Sequence, residues 1–119
     1  MTTEKKNYNV LFVSEMAPVN AAMDRILNQL FSIGEVCGLE DAEDKIFAGN
    51  YTHIIVMGEF RSNTPSKGRD FYQLLKLRLP IWRKDAKVLK SGMDNIQDDP
   101  DYVCILNFLP GFIQWVESH

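Results

Sequence analysis

Short unbroken apolar runs alternate along this chain with stretches whose apolar residues recur every three or four positions. Val10-Leu11-Phe12-Val13 and Ile54-Ile55-Val56-Met57 are continuous, the pattern of strands covered on both faces. Between them Val19, Ala22, Met23, Ile26, Leu27, Leu30 and Phe31 keep helical spacing, while Asp24, Arg25, Asn28 and Gln29 fall on the opposite side. That segregation predicts an amphipathic helix. Pro18 suits its first turn, where a missing N–H costs nothing, and Gly34 is the expected C-terminal cap.

The same alternation continues. Residues 35–39 read as a second strand, and Asp41 as the cap of a helix over 42–48 closed by Gly49. The third strand is expected over 52–57. After a polar loop, Phe71, Leu74, Leu75 and Arg78 share a helix face that Pro80 should stop. A fourth strand over 86–90 is interrupted by Lys87 and Lys90. A fifth follows over 102–108, and Pro110 opens a short last helix through Phe112, Ile113 and Val116. The stretch 92–101 is too short and too acidic for an amphipathic helix and holds one turn at most. Strands alternating with helices imply βαβ units and a parallel sheet. The fold class is therefore α/β: one three-layer doubly wound domain over 1–119, with a shortened or missing fourth helix and a flexible leader over 1–7.

Composition narrows the function more than the fold. The chain has 119 residues, 45% hydrophobic and 24% charged, with a formal charge of −3. That size fits one domain. The charge gives no electrostatic case for nucleic acid or an anionic membrane surface. The polar first residues do not form a signal peptide, and no apolar run approaches the ~20 residues needed to span a bilayer. A cytoplasmic location is expected. Cys37 and Cys104 then read as small buried hydrophobes rather than a disulfide.

Five βα units of this length, starting within ten residues of the N-terminus, resemble the receiver domain of response regulators. That is a flavodoxin-like fold with strand order 2-1-3-4-5. The resemblance runs over about residues 8–118 and rests on element order and spacing. In receivers an acidic pair after the first strand holds Mg²⁺, and the third strand ends on an aspartate that accepts a phosphoryl group. Here the matching positions are Ser14, Glu15 and Met57. The hydroxyl residue that ends the fourth strand is matched by Ser91, and the lysine after the fifth strand by Leu109. A thioether offers no oxygen for an acyl phosphate and is a poor ligand for a hard cation. The resemblance therefore implies a degenerate pseudo-receiver of two-component signalling. It would use no cofactor and would work by contact with a protein partner or a second copy of itself.

Other constellations are weighed beside it. Loop 61–69 carries Arg61, Lys67 and Arg69 with several hydroxyls including Ser66, and it leads into a helix N-terminus that favours negative charge. It is the candidate anion site of an alternative reading, a small-ligand module. No phosphate-binding fingerprint supports it. Glu15, Glu40, Asp41 and Glu59 all follow strands, but such carboxylates commonly cap helices or stay solvated, and no metal site is expected. His53 and His119 lack partners at catalytic or ligand spacing, and no nucleophile motif appears, so no enzyme activity is expected. Trp82, Ile96, Leu109 and Trp115 are bulky residues on short connections near the fourth and fifth strands and the last helix. They are the expected partner surface.

Overall fold

The chain is described here by a computed structural model over residues 6–60, 66–94, 96, 98–105 and 112–119. Its elements in order are β1 (Lys6–Val13), α1 (Ala17–Leu30), β2 (Phe31–Cys37), α2 (Leu39–Ala48) and β3 (His53–Met57). They continue with α3 (Lys67–Ile81), β4 (Lys87–Gly92), β5 (Tyr102–Cys104) and α4 (Phe112–Glu117). All strand pairs are parallel, and the sheet order is β2-β1-β3-β4-β5. Among the described residues between β4 and β5 there is no helix. The α/β architecture is the one the alternation implies, and the strand order is the one the receiver resemblance implies.

The sheet divides the core in two because successive strand residues point to opposite faces. Leu11, Val13, Ile54 and Val56 pack with Ala42 and Ile46 of α2 and with Phe71, Leu75 and Leu79 of α3. Val10, Phe12 and Ile55 pack on the other face with Met23 and Leu27 of α1 and with Phe112 and Val116 of α4. Cys37 and Cys104 are buried and free. They lie on β2 and β5, the two edges of the sheet. Strands are spaced ~4.8 Å apart, so four steps far exceed the ~7 Å Cα limit of a disulfide.

Several boundaries differ from the expected ones. Lys6 and Asn7, expected in a leader, already belong to β1. Gly34 does not cap α1: the helix ends at Leu30 and Phe31 begins β2 with no loop between. Gly34 is instead a strand residue passing under α1, where a Cβ would lie 2.4 Å from the Leu27 carbonyl oxygen. The N-cap of α2 is Gly38, and Asp41 sits in the first turn beside Glu40, where both complement the helix dipole. Pro80 lies inside α3, one residue before its end, so only the Lys76 carbonyl loses its helical partner. Arg83 then adopts φ 57°. Its N–H donates to the Pro80 carbonyl and the Lys84 N–H to that of Leu79, a Schellman ending.

β4 tolerates its lysines for two reasons. Lys87 is exposed, and Lys90 reaches an ion pair with Asp99 while lying over the rings of Phe60 and Tyr72. Burial works against the Asp99 charge, but the Lys90 ammonium and the Asp101 N–H outweigh it and hold the carboxyl below its ordinary range. β5 is three residues long; the expected 106–108, with Pro110, lies outside the described residues.

Candidate functional site

Strands that run in parallel deliver their carboxyl ends to one edge, and there β1 and β3 build a cleft of about 350 Å³. Ser14 makes its first wall. Its N–H continues the ladder to the Cys37 carbonyl at 3.0 Å, and its hydroxyl accepts the Met16 N–H at 3.0 Å. The same hydroxyl donates to the Met57 sulfur at 3.5 Å. Met57 is 9% exposed and closes the end of β3. Glu15, Leu39, Glu59 and Lys67 also line it.

The floor is set by two glycines. A Cβ on Gly68 would stand 2.0 Å from the Met57 carbonyl oxygen, and one on Gly58 would stand 2.7 Å from the Arg69 nitrogen. Only residues without side chains let the first turn of α3 lie directly on the end of β3. Ser66 fastens that turn by accepting the N–H of Arg69 at 3.3 Å and of Glu59 at 2.9 Å.

The expected receiver-type positions therefore separate. Ser14, Glu15 and Met57 meet in the cleft. Ser91 does not face it. Fully buried, its hydroxyl donates to the Val103 carbonyl at 3.0 Å and ties β4 to β5. Leu109 lies outside the described residues. Of the expected anion site, Arg61 lies outside them too, Ser66 serves as the α3 cap, Lys67 lines the cleft and Arg69 is half-buried. Beside two carboxylates, a lone lysine does not make this cleft positive.

The expected partner surface is not one surface. Trp82 packs beside the α2–α3 face, with its ring edge-on to Phe47 at 5.9 Å and the Arg78 guanidinium 6.0 Å away. Trp115 packs on the other face of the sheet, stacked on Phe112 at 5.9 Å, and its indole N–H donates to the Pro100 carbonyl at 3.0 Å. Ile96 is half-buried, and Leu109 again is outside the described residues. The sheet stands between the two tryptophans because α4 covers the face opposite α3.

Two further cleft residues, Met16 and Met93, were not singled out from the sequence. They are 45% and 48% exposed and flank Met57. The available signal was positional: each methionine at this edge follows or ends a strand. Behind them, the Tyr102 hydroxyl donates to the Asp94 carbonyl at 2.6 Å, and burial pushes the phenol up to about 12. Among the described residues no three His, Cys, Asp or Glu side chains gather as metal ligands would, and no helix is long and apolar enough to cross a membrane. No protein-family model and no curated protein matches the sequence.

Proposed function

We propose that this chain is a non-catalytic, receiver-like signalling module that works through contact with another protein and independently of phosphorylation. One observation carries the reading. At the end of the third strand of a 2-1-3-4-5 sheet, where a receiver keeps its phospho-acceptor carboxylate, the buried Met57 thioether is held by the Ser14 hydroxyl. That contact takes up both neighbouring positions of the receiver site. Of Ser14, Glu15 and Met57, only Glu15 offers a carboxylate to a hard Mg²⁺ ion.

The test is incubation with acetyl phosphate and Mg²⁺, followed by intact-mass measurement and chemical crosslinking in cell extract. The mass should not change, and the set of crosslinked complexes should be the same with and without acetyl phosphate. A stable gain of one phosphate at Glu15 or Glu59 would overturn the reading. So would complexes that form only when acetyl phosphate is present.

A further inference from the structure

The amino-terminal edge of the sheet holds a second cavity system that the receiver-like reading does not use. Two clefts of about 680 and 540 Å³ adjoin there, sharing Lys84, Ala86, Lys87 and His119 in their walls. Both volumes fall in the range of small-molecule sites, ~300–1,000 Å³. The backbone frame is tight: Thr52 N–H donates to the Asn9 carbonyl at 2.8 Å and Lys87 N–H to the Thr52 carbonyl at 2.9 Å.

The charge here is opposite in sign to that of the chain as a whole. Arg83, Lys84 and Lys87 line the larger cleft, and Lys76 joins Lys84 and Lys87 in the smaller. Four cations elsewhere are paired: Lys6 with Glu117, Lys45 with Glu35, Arg78 with Glu43 and Lys90 with Asp99. Among the described residues none of the four cations at this edge makes an ion pair. Lys84 only donates to the Gly49 carbonyl, at 3.0 Å. Of the two carboxylates nearby, Asp85 and Asp101, the second is already engaged by His119 Nε2 at 2.9 Å. The other ring nitrogen of His119 faces the Trp115 carbonyl at 2.7 Å.

Two local features shape this edge. Arg83 sits in the left-handed region because it ends α3 in the Schellman turn. The turn it makes carries Arg83 and Lys84 to the mouth of the cleft. His53 also lines the cleft. It is only 4% exposed, and its Nδ1 lies 2.9 Å from the Thr52 hydroxyl.

We propose that this edge binds a phosphorylated small molecule, with its phosphate or pyrophosphate between Arg83, Lys84 and Lys87 and its uncharged part against Thr52 and His53. Three cations lining one cleft fit a multiply charged anion better than a single carboxylate, and a guanidinium matches phosphate oxygens two at a time. This site is separate from the Met57 cleft and stands or falls independently of it.

Inorganic pyrophosphate is the probe, titrated into the whole chain at constant ionic strength and followed by amide correlation spectra. Saturable shifts are expected at residues 83–87 and 119, together with a change in the His53 ring signals. Arg83→Gln combined with Lys87→Gln should weaken binding at least tenfold with the spectrum otherwise intact, while Lys67→Gln at the other edge should leave it unchanged. Shifts centred on residues 66–69 would refute the site. So would non-saturating shifts equal to those from sodium chloride, or full affinity in the double variant.

Discussion

Gly68→Ala tests whether the α3 turn truly lies on the end of β3. The new methyl would be placed 2.0 Å from the Met57 carbonyl oxygen and 2.7 Å from the Gly58 Cα. Carbon–oxygen contacts normally sit near ~3.3 Å or beyond. The helix start must therefore retreat by more than about 1 Å, against backbone that cannot swing away as a side chain would. Overpacking of this kind costs roughly 1–3 kcal/mol, and rigid neighbours on both sides place this site at the upper end. The retreat also stretches the Ser66 cap, worth about 1 kcal/mol. Against this stands the gain of up to about 1 kcal/mol for replacing glycine in a helix. The net expectation is a loss of about 3 kcal/mol, or a fall in Tm of roughly 10 °C for a domain of this size. Urea unfolding followed by circular dichroism, with a thermal scan beside it, measures both. Gly58→Ala should move the same way, since its Cβ meets the Arg69 nitrogen at 2.7 Å. An unchanged or raised Tm for Gly68→Ala would refute the contact and with it the floor of the Met57 cleft.

Two other outcomes follow from the same structure. Burial first, then the charges of His119 and Lys87, hold His53 below its ordinary 6.5, with the Val116 carbonyl opposing only in part. The unfolded chain then binds that proton more readily, so stability should fall as pH drops below about 6.5. His53→Gln should flatten the urea midpoint between pH 7 and 5, and an identical slope in both proteins would contradict the burial. The Glu35 and Asp99 carboxyls, held low chiefly by Lys45 and by Lys90, would act only at more acid pH, because stability from a depressed carboxyl is lost as pH falls through its folded value. Arg83→Gly should raise stability by about 1 kcal/mol, because glycine pays no steric penalty at φ 57°. Arg83→Ala should bring no such gain, and equal midpoints for the two variants would argue against a left-handed residue 83.

The elements most legible in the sequence are those whose environment is uniform. The central run of β1 and residues 54–57 of β3 are continuous apolar residues because both faces of an inner parallel strand are covered, and α1 shows a stripe because only one face is. Alternation of such runs with helical stripes was enough for the α/β class and, with the receiver resemblance, for the strand order. Boundaries were less legible because the same residue serves two purposes. Gly34 after an apolar stripe looks like a cap, yet here its missing Cβ lets β2 pass under Leu27. Lys90 looks like an interruption, yet Asp99 and two aromatic rings receive it.

The sites depended on information that no local pattern contains. Periodicity records which face of its own element a residue occupies. It does not record which element lies opposite, because that depends on the crossovers and the strand register. Ser91 ends the expected strand as the receiver pattern asks, but pairing with β5 turns its hydroxyl to the Val103 carbonyl. Trp82 and Trp115 share a composition suited to an interface, but α3 and α4 lie on opposite faces of the sheet. The basic edge is the clearest case. Asn9, Thr52 and Lys87 are far apart along the chain, and the ladder from Asn9 through Thr52 to Lys87 sets them side by side, with the last residues of α3 and His119 closing around them. Which strands exist is a matter of local burial; which side chains meet at their ends was decided by the parallel register.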